Sequence, residues 1–147
     1  MNNKILFNSR TPTYAWLSNF HVCPIIYDGI TYPSVENFYQ AQKTPDRELQ
    51  LEFVGITAGQ AKIKGSELKD IVPEWNTHKI NVMLTGINLK YSIPELKQLL
   101  INTNNDELVH LSPWDKFWGV DNNGIGSNHL GLMLMNYRNN INMRSMF

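Results

Sequence analysis

The sequence predicts an α+β fold, a single compact domain that is mostly helical around a small β-sheet, and three observations carry that prediction. The chain has 147 residues, 42% of them hydrophobic, enough for one globular domain with a substantial core. Short apolar runs bounded by turn residues occur in the first quarter and again at Glu107–Leu111, as strands require. Elsewhere apolar residues recur at helical spacing between Ser, Thr, Pro and Gly boundaries. No stretch reads as linker, repeat or low-complexity segment, so the domain is expected to span residues 1–147.

Each element has its own signal. Lys4–Phe7 reads as a short strand, and Cys23–Tyr27 with Gly29–Tyr32 flanks an Asp28-Gly29 turn, predicting a hairpin. Pro33-Ser34 opens a helix with Ser34 as N-cap and Glu36 in the first turn. Pro45 ends that helix and starts another, in which Leu49, Phe53 and Ile56 keep helical spacing. Thr57 caps a short helix that stops near Gly65. Trp75, Ile80, Met83, Ile87 and Tyr91 share one face of a longer helix, followed by a short one over Pro94–Ile101. Glu107–Leu111 is the expected last strand. After an Asn- and Gly-rich loop, Asp121–Asn128, which ends in a Ser127 helix cap, the apolar run Leu130–Met135 belongs to a C-terminal helix.

Composition excludes several function classes. Thirteen Lys and Arg balance 13 Asp and Glu, so the strongly basic footprint of a duplex-DNA binder is missing. No apolar run approaches a membrane span, and Met1-Asn2-Asn3-Lys4 leads into no signal-peptide core, which predicts a cytoplasmic protein without membrane partners. The single cysteine, Cys23, rules out an internal disulfide and a multi-cysteine zinc site. His21, His78, His110 and His129 lack metal-ligand spacing, and no Gly-X-Ser-X-Gly elbow is present. Neither cofactor nor metal is expected.

Two constellations could carry chemistry. In the first, Trp16-Leu17-Ser18-Asn19-Phe20 precedes Pro33-Ser34-Val35-Glu36-Asn37-Phe38-Tyr39-Gln40-Ala41-Gln42-Lys43. Helical spacing places Glu36, Gln40 and Lys43 on one stripe, an acid, an amide and an amine suited to holding a sugar and managing protons. A capped surface helix, with Glu36 merely favouring the N-terminal dipole, is the alternative. The second is Trp114-Asp115-Lys116-Phe117-Trp118-Gly119, leading into Asn122–Asn128 and His129-Leu130-Gly131. Two tryptophans around an aspartate offer stacking faces for a flat base, and the glycines permit close approach of an anion to backbone N–H groups. An Asn/Gly turn ending in a helix cap reads equally well.

The order of these segments resembles the NADAR/YbiA-like family nearly end to end. The match runs from Phe7, Leu17-Ser18-Asn19-Phe20, Asp28-Gly29 and Tyr32–Glu36 to Lys43, through Ala61-Lys62, Gly65, Trp75, Lys79, Met83 and Lys90. It ends on Leu108-Val109, Asp115, Phe117-Trp118-Gly119, Gly124, Gly126, Asn128, Leu130-Gly131, Met135 and Arg138. The resemblance implies hydrolysis of an N-glycosidic bond between ribose and a base. Its substrate would be a phosphoribosylamino-pyrimidine of riboflavin synthesis or an ADP-ribosylated guanine, the latter free or within single-stranded nucleic acid. By position it makes Glu36 and Asp115 the catalytic acids and Lys43 the candidate amine, which could form an imine with ring-opened ribose. Asn19, Phe20, Gln40, Trp75, Trp118, Gly119 and Asn128 become the expected substrate contacts.

Two residues depart from the family pattern: Asn37 stands where His is common, and His110 where an acid is common. Both bear on substrate identity, and a protein that only sequesters an ADP-ribose-type nucleotide is the alternative to an enzyme. The Asn122–Asn128 loop, Lys43, Lys62 and Arg138 are the expected phosphate partners.

Overall fold

The computed structural model describes residues 3–145. Among them are four β-strands, six α-helices and one 3-10 turn, Ala15–Leu17, confirming the α+β class. They fall into two units, one drawn from Met1–Ser18 and Ile93–Phe147, the other from Asn19–Ser92. In place of the one small sheet expected, each unit has its own two-stranded sheet.

In the first unit β1 (Lys4–Phe7) pairs in parallel with β4 (Glu107–His110), Lys4 opposite Glu107 and Phe7 opposite His110. Alternation along β1 buries Ile5 and Phe7 and leaves Lys4 and Leu6 outside. The last strand stops at His110, one residue short of expectation, and Leu111 then bridges singly to Val120. The helix α5 (Pro94–Ile101) starts on proline and buries Leu96 and Leu100, four residues apart. The last helix, α6 (His129–Ser145), packs against β4 and α5 through Leu130, Leu134, Arg138 and Ile141. Ser127 lies two residues before it; the Asn128 carbonyl accepts the first helical bond, from Leu132 N–H.

In the second unit β2 (Ile25–Tyr27) and β3 (Ile30–Tyr32) form the predicted antiparallel hairpin. Asp28 and Gly29 carry φ of +51° and +77°, the left-handed pair that a tight two-residue turn demands. Cys23 and Pro24 fall outside β2, because Pro24 has no N–H to give to the ladder; pairing reappears before it, Cys23 N–H reaching Pro33 O at 3.0 Å. Ser34 caps α1 (Val35–Ala41), and all seven residues of that helix are buried. The helix α2 (Arg47–Leu51), capped by Asp46, ends before Phe53 and Ile56, so these two are not helical; Phe53 still reaches the core from the following turn. A reciprocal capping box between Thr57 and Gln60 starts α3 (Ala58–Ser66).

The long helix α4 (Trp75–Lys90) buries Trp75, Met83, Gly86, Ile87 and Lys90. Ile80 is 41% exposed, contrary to expectation: at ~100° per residue it stands about 140° round the helix from Trp75. Both α3 and α4 pack on α1, which makes α1 the centre of this unit. No helix among the described residues is long and apolar enough to cross a membrane.

Candidate functional site

The buried helix α1 concentrates polar groups where an apolar core would be expected. Glu36, Asn37 and Gln40 are all buried, Glu36 at 8% exposure. Ser34 Oγ accepts from Asn37 N–H at 3.1 Å, and Glu36 N–H donates to Asn19 O at 3.0 Å, so the Asn19-Phe20 segment is tied to the helix start. Glu36 Oε2 accepts a hydrogen bond from Gln40 Nε2 at 2.6 Å, across one turn of helix. That bond fixes the carboxylate's rotamer. The bland reading of an exposed, dipole-complementing Glu36 fails on burial: removing a carboxylate from water is costly, and the fold does so here.

The other candidates of this unit lie on α1 or on the elements bound to it. Lys43 is half-buried but sits beyond the helix, which ends at Ala41, in a turn closed by Lys43 N–H to Gln40 O and Val72 N–H to Lys43 O. Its place on a continuous helical stripe is therefore corrected: the stripe holds Glu36 and Gln40 only. Trp75, at the start of α4, lies against Tyr39 of α1 with ring centroids 5.2 Å apart. Asn19 directs its amide to Met83 Sδ at 3.3 Å, and Phe20 lies beside Gly59 of α3. Asn19, Phe20, Glu36, Gln40, Lys43 and Trp75 thus belong to one unit organised by α1.

The Asp115–Asn128 segment is built differently. Asp115 Oδ1 accepts from the N–H groups of Phe117 and Trp118, both at 3.1 Å, and so makes its own turn. Trp118 is buried, edge-on to Phe117 at 4.8 Å and to His129 at 6.3 Å, whereas Trp114 is 91% exposed. Of the expected pair of stacking faces around Asp115, Trp114 stands exposed and Trp118 is packed inside. Gly119 is required by packing, since a Cβ there would stand 2.5 Å from His110 O.

Most of the loop's backbone donors are already used. Asn123 and Ile125 N–H bond Asp121 Oδ1, Ser127 N–H bonds Lys116 O, and Asn128 N–H bonds Gly119 O. The bonds from Ile125, foremost, and Asn123, with the Lys116 amine beside them, hold the Asp121 carboxyl below its usual range. Asn128 also turns its amide inward, donating to Leu108 O at 3.0 Å and accepting from His110 N–H at 2.9 Å. Arg138, expected near phosphate, is 2% exposed and donates to Thr103 Oγ1 at 2.8 Å. Asn128, Arg138 and most of the loop's backbone donors thus hold the chain together.

The NADAR domain model matches residues 6–142. The chain belongs to the NADAR domain family. It is 34% identical over 137 residues to the N-glycosidase YbiA of Shigella boydii serotype 4 (strain Sb227), covering 91% of this chain and 86% of that one. A riboflavin biosynthesis protein of Vibrio vulnificus (strain YJ016) is 32% identical over 145 residues, 94% of this chain and 38% of that protein. The NMR structure of Escherichia coli YbiA superposes with a TM-score of 0.87 at 31% identity, covering 99% of this chain and 89% of the other. Kinship of this extent carries the reaction class: this NADAR protein is an N-glycosidase.

Both departures from the family pattern lie at structural positions. Asn37 is fully buried and donates through Nδ2 to Phe53 O and Ile56 O, at 2.8 and 2.9 Å, pinning the turn between α2 and α3. His110 stacks on Phe7 across the β1–β4 pair with centroids 5.2 Å apart. Sequence reasoning missed Lys90 as a special group. It is 1% exposed, its amine lies 5.3 Å from the Tyr91 ring centre, and burial pushes it down to about 7 while Cys23 pulls the other way. Its match to the family was the only signal available. Among the described residues no three His, Cys, Asp or Glu side chains gather as a metal site would.

Proposed function

We propose that this N-glycosidase hydrolyses a ribosyl–base bond in a phosphoribose- or ADP-ribose-containing substrate, with Glu36 as the carboxylate beside the reacting sugar. The observation that carries the reading is the buried Glu36 held by Gln40 in the first turn of α1. As the C1′–N bond breaks, its electron pair leaves with the base and positive charge develops on the ribose. A buried carboxylate held in place stabilises that charge far better than an exposed one. Water then adds to C1′, its proton passing to a carboxylate and from there to the departing nitrogen, a step worth about 10²–10⁴-fold when a side chain manages it. Trp75 supplies an aromatic wall near α1, and Lys43, half-buried and amine-bearing, is the group proposed to meet phosphate or the opened sugar's aldehyde. Asp115 and Trp118 are proposed as further acid and aromatic contact from their match to the family.

Purified protein is incubated with a phosphoribosylamino-pyrimidine, with ADP-ribosylated guanosine and with the same modified base in a single-stranded oligonucleotide, and free base is measured. Multiple turnovers on one of them are expected. Stoichiometric binding without released base would sink the enzymatic reading in favour of sequestration. Borohydride added during turnover, followed by intact mass, tests Lys43. No adduct together with an active Lys43→Arg would leave the lysine a phosphate contact only.

A further inference from the structure

Glycine inside a helix is unfavourable unless something else requires it, and α3 carries one at Gly65, fully buried against α1. Its backbone does not require glycine, since its φ lies outside the left-handed region. What requires it is Gln40. A Cβ at Gly65 would overlap Gln40 Oε1 and stand 2.6 Å from Gln40 Cδ and 3.0 Å from Gln40 Cβ. The overlap is with the amide end of the side chain, so a side chain at position 65 would force that amide out of its place. Gln40 Oε1 is itself buried without a hydrogen-bond partner, so that acceptor does not set the amide's orientation. Its other end, donating to Glu36 Oε2 at 2.6 Å, does.

We infer that Gly65 is a positioning residue: by presenting no side chain, α3 lets the Gln40 amide lie where it holds the Glu36 carboxylate. Gln40 then acts on Glu36 and not on substrate. The inference rests on the catalytic reading of Glu36.

The test is a set of variants, Glu36→Gln, Gly65→Ala, Gln40→Ala, Gln40→Met and the Gly65→Ala/Gln40→Ala double, assayed for kcat, KM and Tm on the phosphoribosylamino-pyrimidine and ADP-ribosylated guanosine. Gly65→Ala and both Gln40 variants are expected to lower kcat about ten- to hundredfold with KM within about threefold. The double variant should be no slower than Gln40→Ala and should melt above Gly65→Ala, because the clash has gone. Normal kcat in Gly65→Ala or Gln40→Met while Glu36→Gln is inactive overturns the inference and spares Glu36. Multiplied losses in the double overturn it too. A fully active Glu36→Gln instead removes the reading beneath it. Should Gly65→Ala not fold, Gln40→Met and the double variant, which lacks the overlap, decide alone.

Discussion

The start of α1 and the Asp115–Asn128 segment are both rich in polar side chains, yet they use them in opposite ways. In the second segment the polar side chains close local turns or clasp a strand: Asp115 on Phe117 and Trp118, Asp121 on Asn123 and Ile125, Asn128 on Leu108 and His110 of β4. Ordinary chain economy explains those bonds. At α1 a carboxylate is buried and held by another side chain, an arrangement that hydrogen-bonding of the backbone does not call for. The difference teaches where to look for chemistry: at polar groups whose burial the fold does not require.

Substitutions at the two places should therefore behave differently. The largest effect is expected from Glu36→Gln, a loss of about 10²–10⁴ in kcat with Tm nearly unchanged, because the neutral amide still accepts from Gln40. A folded variant turning over normally would erase the contrast. Asn128→Ala should instead cost about 2–4 kcal/mol of stability, leaving Leu108 C=O and His110 N–H without their partner. Denaturant melts would show it, and kcat per folded molecule should hold. A selective loss of turnover would return Asn128 to the substrate contacts.

Asp115→Asn sharpens the boundary, since asparagine keeps the Oδ1 acceptor and removes only charge. We expect little change in Tm and a slower chemical step, by about tenfold, in single-turnover measurements. Unchanged single-turnover rates with weakened binding would place Asp115 with the substrate-positioning groups. A last expectation concerns Lys90 and stability. Between about 7 and its ordinary 10.5, the unfolded chain carries a proton that the folded one lacks, so this residue makes stability rise with pH across that window. Comparing Tm from pH 7 to 10 in wild type and Lys90→Met, the variant's curve should rise less; parallel curves would show that the buried amine does not titrate there.

Much of the fold was legible because its signals are local. Asp28-Gly29, Ser34, the Thr57 cap and Pro94 each fix a boundary through backbone chemistry that nearby residues reveal. Glu36 and Gln40 were legible as a pair for the same reason, being one turn apart. What escaped depends on partners distant in sequence. Asn37 is explained by the carbonyls of Phe53 and Ile56, Gly65 by Gln40, Arg138 by Thr103, and the separation into two sheets by β1 pairing with β4 and not with the hairpin. Trp114 shows the converse: its residue type suggested a wall, and only burial distinguishes it from Trp118.

The β1–β4 pair has a consequence for how the chain comes off the ribosome. Phe7 precedes its partner His110 by about a hundred residues, so at 5–20 residues per second β1 waits roughly 5–20 s for a strand to join. The intervening residues 19–92 form a unit with its own sheet and helices, complete in sequence before Glu107 is synthesised. Closing so long a loop is slow as well as late, and until it closes Ile5, Leu6 and Phe7 are an unpaired apolar strand. The nascent chain is therefore open to misassociation at β1 for as long as β4 is still to be made.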